Sequence, residues 1–471
     1  MKIGKREIRN PVNELYEEAR LPQVIRRSLN FILIGNLCGN LHGIICGGST
    51  TAMVGLATSM GAGDLEFGII SAIVQAAALM QIPFSLVVNR THKRKKYLLT
   101  YGVFSRLLWM VFGFIPFIVP AAYEHLQIWL LIFLLGISSC CGAMINVCWF
   151  PWFSDLAPIT IRSRWLAVRE AIMCVANIIF GLLVAFLLDH LPLETKYLVI
   201  FLIGGAVGVL DMVSFGFCKE VFTAEPKKLK LFSVFKNIGK NKPFMHFLIM
   251  WTVWCFTANM AGVYMSPYSM NEMGLNFTQI MIFGTIAAAV ATIIMVPRWG
   301  RMIFRFGSKP IMFMCAAVVG FTPLFYLLAT PGSVLPTLLY NFIGAFFWCG
   351  SNLAANDMQL AASTDEERPS YIAVFSCVTA LFGGTLGSLA GGALLDWWRD
   401  AGWFTGFFDR YKAMFLFASI LRIAFVFLLV PTLDDGRNIP VKDVLHSIFT
   451  KKKRPLNRRR LFRRHWKNPQ K

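Results

Sequence analysis

Charge is scarce in this chain, and acidic charge scarcer still. Of its 471 residues only 15% are Asp, Glu, Lys or Arg, with 25 acidic residues against 46 basic ones. A soluble domain carries about 25%. The deficit is gathered in apolar stretches such as 126–150 and 195–218, each matching the ~20 residues that cross a ~30 Å hydrocarbon core. A large water-soluble core is thereby excluded. Catalytic motifs are missing as well: there is no phosphate-cradling GxxxxGK[ST], no HExxH and no GxSxG elbow. The 7 histidines are scattered without metal-ligand spacing. The 11 cysteines form no CxxC pair and lie in or beside apolar stretches, which speaks against a disulfide framework or a zinc site. No enzyme, cofactor or metal is expected.

What is present is hydrophobicity, 56% of residues, with a mean hydropathy of +0.58. Spans are expected at about 29–60, 67–88, 97–120, 126–150, 165–189, 195–218, 244–272, 277–298, 308–330, 334–360, 369–396 and 411–432. Most Lys and Arg lie in segments that fall on one side if both termini are cytoplasmic, so the positive-inside bias gives N-in, C-in. The expected class is an all-α polytopic membrane protein: twelve transmembrane helices in two pseudo-symmetric six-helix bundles, in a plasma membrane.

The expected division is a cytoplasmic segment 1–28, a bundle 29–218, a cytoplasmic linker 219–243, a second bundle 244–432 and a basic tail 433–471. The first apolar stretch is too long for a signal-peptide core. The net charge of +21 is spread between spans, so no nucleic-acid partner is expected. The tail run 451–464 suits anionic lipid headgroups, at about 1 kcal/mol per basic residue near the surface.

The two halves repeat. The run from Arg162 to Val168 (RSRWLAV) aligns with that from Arg368 to Val374 (RPSYIAV) at an offset of 206 (368 − 162). At this offset Asn146 meets Asn352 and Gly181 meets Gly387, while Asp189 meets Asp396 one residue later. Repeated bundles are how secondary transporters set a substrate site at the midplane.

At these residues the chain resembles the major facilitator superfamily, whose G-x-x-x-D-R-x-G-[RK]-[RK] signature lies after span two and again after span eight. The later copy includes Gly300, Arg305, Gly307 and Lys309; the earlier includes Asn89, Arg90 and Lys93. Asn89 and Phe304 stand where the family has Asp, and His92 where it has Gly. The loop carrying Asp155, Arg162 and Arg164 is similar to the family too, with Asp155 a candidate partner for Arg90. The resemblance implies alternating access, with these residues as cytoplasmic latches and a central site lined by spans one, four, seven and ten.

Helical spacing singles out polar stripes on those spans. Asn36 and Asn40 share one, Asn146 and Trp149 another, and Trp348, Asn352 and Asn356 a third; Trp251 and Asn259 mark span seven less cleanly. Amides are costly in lipid and should face the interior or a watered cavity. Amides with indoles suit a neutral or zwitterionic polar solute such as a sugar. The expected function is therefore secondary transport of a small organic molecule. Proton-coupled efflux of amphipathic compounds is the alternative, and a membrane-embedded lipid-modifying enzyme or a non-transporting sensor is the reading from another class. His42 and Asp357 are the candidates for coupling to protons or ions. Arg106 and Asp211 fall at similar depth on spans three and six, which predicts a structural ion pair.

Overall fold

A computed structural model describes residues 21–91, 93–219, 239–362 and 368–433. Most of the expected linker and tail lie outside these, as do the side chains of Asn89, Asp155 and Arg162. The described residues are helical throughout, and ten helices are long and apolar enough to cross a membrane. In lipid this is the natural outcome, because a helix satisfies its own backbone polar groups.

In the first half, α1 (Gln23–Ile45) is followed after a break by α2 (Thr51–Ser59). Next come α3 (Asp64–Ala76), running through one 3-10 turn into α4 (Gln81–Thr91), then α5 (Arg94–Phe112), α6 (Glu124–Leu156), α7 (Ile159–His190) and α8 (Lys196–Gly216). Helix α8 packs along both α1 and α5, and α5 packs on α6. Lys95 fastens the end of α8 by donating to the carbonyls of Gly216 at 2.7 Å and Cys218 at 2.8 Å, a cation where a helix C-terminus favours one.

The second half opens with α9 (Lys242–Gly262) and α10 (Met265–Asn271). Helix α11 (Phe277–Ile280) passes through a π turn, Met281–Ile286, into α12 (Ala287–Phe306), which α13 (Ser308–Phe321) and α14 (Leu335–Ala362) follow. Then α15 (Arg368–Val378) passes through a second π turn, Thr379–Thr385, into α16 (Leu386–Asp400), and α17 (Arg410–Leu429) closes the series. Helix α14 packs on α12 and α13, and α17 on α9 and α13.

The span expected at 29–60 is therefore two helices. Gly47 and Gly48 weaken the helix, and Thr50 restarts it: its hydroxyl accepts from the Met53 amide at 3.3 Å and lies 2.9 Å from the Ile45 and Gly47 carbonyls. The span expected at 244–272 breaks likewise between Gly262 and Met265.

The halves meet along α3 and α16, where small residues let the backbones close in. A Cβ on Gly68 would lie 2.8 Å from the Ser388 carbonyl, and one on Gly392 would lie 2.9 Å from the Asp64 carbonyl. Ser388 and Ser71 hydroxyls stand 3.2 Å apart across the seam. At the end of the seam Asp64, 3% exposed, accepts from Arg410 at 3.2 Å and from the Tyr411 hydroxyl at 2.5 Å. On the neighbouring seam Asp189, near the end of α7, accepts the first amides of α11 from Phe277 at 2.9 Å and Thr278 at 2.8 Å. These ties gather at the loops before α3, after α7 and before α17.

Candidate functional site

Below these ties the halves enclose a cavity of about 690 Å³. From the first half it takes Gly39, Asn40 and Gly43 on one face of α1, Ser49, Thr50 and Thr51 at the helix break, and Asn177 of α7. From the second it takes Ser266 and Ser269 of α10, Gly284 and Thr285 of the π turn, Tyr326, and Thr337, Tyr340 and Asn341 of α14. Irregular backbone supplies much of this lining: a broken helix and a π turn leave polar groups facing the space instead of the helix ladder. A side pocket of about 250 Å³ lies beside Gln75, Asn259 and Ser266.

The lining mixes hydroxyls and amides with apolar groups such as Ile44, Met265 and Ile280 and carries no charge: among the described residues neither space is bordered by Asp, Glu, Lys, Arg or His. Its hydroxyls are linked. Ser269 lies 3.2 Å from the Tyr326 hydroxyl and 3.4 Å from that of Thr337, and Asn341 donates to the Thr337 carbonyl at 2.9 Å. Asn40 Oδ1 and Asn36 Nδ2 are buried without a hydrogen-bond partner among the described residues. Such atoms are costly unless something else fills them.

Of the residues picked out by sequence, Asn40 lines the main cavity and Asn259 the side pocket. Asn36 accepts from Arg169 at 3.3 Å, and Arg169 also lies 5.3 Å from the Trp149 ring. Asn146 and Asn356 are exposed and Asn352 half-buried, away from both spaces. Trp251 stacks with Phe247 and Phe375, and Trp348 with Trp254. These indoles pack helices together.

The residues not anticipated are the hydroxyls of Ser49, Thr50, Thr51, Ser266 and Ser269, together with Asn177, Tyr326 and Tyr340. One signal was readable: Gly47-Gly48-Ser49-Thr50-Thr51 interrupts an apolar span, as does Ser266-Pro267.

The basic turns lie elsewhere. Gly307 takes φ +93°, a conformation that favours glycine, between α12 and α13. Beside it Ser308 donates to Asp357, Lys309 donates to the Pro431 carbonyl at 2.7 Å, and Arg305 stands 4.9 Å from the Phe306 ring. Asp357 thus belongs to this turn. Arg90, Lys93 and Arg164 are exposed, and a side chain at Gly300 would meet open space. The partner expected for Arg90, Asp155, is outside the described side chains.

Deep in the first half, Arg106 Nη2 lies 3.6 Å from Asp211 Oδ2, and its Nη1 lies 2.6 Å from His42 Nε2. His42 Nδ1 is 2.9 Å from the Gly204 carbonyl. In the second half Arg422, 2% exposed, donates to the Thr257 and Ala258 carbonyls at 3.0–3.3 Å.

The sequence profile of the Major Facilitator Superfamily matches residues 36–358 and 285–469. No curated protein matches the sequence. Solved structures share the fold, three transporters among them. An auto-inhibited POT family peptide transporter aligns with a TM-score of 0.65 at 11% identity, covering 88% of this chain and 98% of that one. A bacterial homologue of the human lysosomal transporter Spinster, inward-facing and occupied, aligns at 0.63 and 14%, covering 88% and 99%. A mutant of the nucleoside transporter NupG aligns at 0.62 and 13%, covering 86% and 100%.

Proposed function

The chain belongs to the major facilitator superfamily, and from that premise we propose that it carries a small, neutral, hydroxylated solute across a membrane by alternating access. It is a secondary transporter and an integral, multi-pass membrane protein. The observation that carries the substrate class is the uncharged lining of the 690 Å³ cavity. An ionised solute buried there would meet no opposite charge, a large penalty in a medium of low dielectric. A sugar-like molecule instead finds hydroxyls and amides that both donate and accept. Asn40, which borders the cavity, supplies an amide for one of its hydroxyls.

Two further helices complete the proposed set of spans. Helix α5 carries Arg94, Lys95, Lys96 and Arg106, and α14 is diluted by Asn341, Asn352 and Asn356. Each is less apolar than its neighbours, yet each is packed among them. With both termini cytoplasmic, the ties of Asp64 and Asp189 are outer ones, and the exposed Asn146, Asn356 and Asp357 lie toward the cytoplasm. That arrangement fits an inward-open state. The plasma membrane is the proposed site, with the basic tail at its anionic inner leaflet.

The test is uptake into proteoliposomes from a panel of labelled hexoses, polyols, nucleosides, amino acids, organic acids and hydrophobic cations. Accumulation of a neutral hydroxylated member is expected, with Asn40→Ala and Asn341→Ala each raising KM about tenfold, the loss of one or two hydrogen bonds. Transport confined to the organic acids or the hydrophobic cations would refute the reading.

A further inference from the structure

Asp211 is a buried acid with too few partners. It is 5% exposed on α8, and the one polar contact of its carboxylate among the described residues is Arg106 at 3.6 Å. An ionised carboxylate is held by several hydrogen bonds or a close cation. Glycines of α1 lie against it: a Cβ at Gly39 would lie 2.8 Å from Oδ2, and one at Gly35 would lie 3.2 Å from Oδ1.

Arg106, meanwhile, leans away from the acid. Its Nη1 is 2.6 Å from His42 Nε2. The Gly204 carbonyl, 2.9 Å from His42 Nδ1, can only accept. The ring proton therefore sits on Nδ1, and Nε2 accepts from Arg106, so His42 is neutral. Arg106 Nε is buried without a hydrogen-bond partner among the described residues. The guanidinium thus has two alternative holders, a neutral ring nearby and a carboxylate farther off.

We propose that Asp211 is a reversible proton-binding site, with Arg106 shared between Asp211 and His42 as the carboxyl gains and loses its proton. A proton from water joins a carboxylate oxygen to give the neutral acid, and the three side chains pass from net zero to one positive charge. Among the described residues the other titratable groups facing them are Cys38 of α1, beside Asp211, and Cys46 just past its end, beside Arg106. Helix α7, packed on α1 and α8, brings Arg169 to Asn36.

The site adjoins the cavity through α1. Gly39, against the carboxylate, also lines the cavity. His42 receives the Cys46 amide at 2.7 Å, in the turn that leads into the break lined by Ser49, Thr50 and Thr51. A shift of Arg106 between its holders therefore acts on the backbone that frames the solute. This coupling role rests on the transporter reading; the proton site does not.

The experiment is infrared titration of the purified full-length protein in lipid as pH rises from about 5 to about 9. A protonated-carboxyl band that fades across this range is expected, and it should be missing in Asp211→Asn. In His42→Phe, Arg106 loses its neutral holder and turns to Asp211. The nearer cation favours the ionised form, so the midpoint should fall by about one pH unit or more. A wild type without a titrating band would overturn the proposal: the pair is then permanently ionised. So would a band that persists in Asp211→Asn, or an unmoved midpoint in His42→Phe. The wild-type and His42→Phe spectra decide the matter even if Asp211→Asn does not fold. In proteoliposomes, with the solute found by the panel, Asp211→Asn should reduce gradient-driven accumulation to its level without a pH gradient. Unchanged accumulation would overturn the coupling role, whereas a panel that moves nothing overturns only the transport reading.

Discussion

Two arginines of the helix bundles, Arg422 buried and Arg106 half-buried, illustrate how differently one residue type is accommodated. Arg106 reaches a carboxylate and an imidazole, whereas Arg422 is held by the carbonyls of Thr257 and Ala258 on α9 and by Trp254, whose ring centroid is 6.0 Å away. Carbonyls within a helix already accept from their own ladder, so they repay little of the cost of burying a guanidinium. Arg422→Met, similar in length and uncharged, is therefore expected to keep or raise the melting temperature. A fall of several degrees in a thermal-shift scan in detergent would show that the carbonyl contacts matter more than this argument allows. Arg106→Met should do the opposite and lower the melting temperature, because Asp211 and His42 are left without their shared donor. Urea-dependent unfolding of the two variants side by side tests the contrast.

At the scale of elements, the repeat seen in sequence reappears as a shared placement. Asp189 near the end of α7 caps α11 of the opposite half, and Asp396 near the end of α16 faces the Leu65 amide at the start of α3. Each carboxylate lies against a helix N-terminus across the seam, where exposed amides and the helix dipole favour negative charge. Capping contacts are worth about 0.5–2 kcal/mol, enough to shift a two-state equilibrium severalfold. Asp189→Asn should weaken the tie without disrupting either half. With a single cysteine placed in the loop before α11, maleimide labelling from outside is expected to speed up severalfold. Equal labelling rates would mean that the tie does not hold the closed end.

For the whole molecule, rocking requires the seam between α3 and α16 to open. The Ser71 and Ser388 hydroxyls are 3.2 Å apart. Ser71→Cys with Ser388→Cys, in a background without other accessible cysteines, should crosslink on mild oxidation and arrest transport more than about tenfold. Reductant should restore it. Transport that survives complete crosslinking would mean that the halves do not part there.

Sequence by itself determined the class of the molecule. Twenty-residue apolar runs leave a chain little choice but membrane helices, and the recurrence of Asn146 at Asn352 and of Asp189 at Asp396 raised the expectation of a duplication. It also brought Arg106 and Asp211 into view as a pair, because both are ionisable, of opposite sign and at similar depth. Only the tertiary structure decided which polar groups share a cavity. Helical spacing identifies a face but not what the face meets, so Trp251 and Trp348 pack against other aromatics while Asn40 meets open space. Ser49, Thr50 and Thr285 of the lining lie on a helix break and a π turn, where the period of 3.6 residues fails and a stripe can no longer be followed. The position of His42, which divides Arg106 between a ring nitrogen and a carboxylate, depends on α1, α5 and α8 meeting within a few ångströms. That meeting is a property of packing, and no spacing along the chain encodes it.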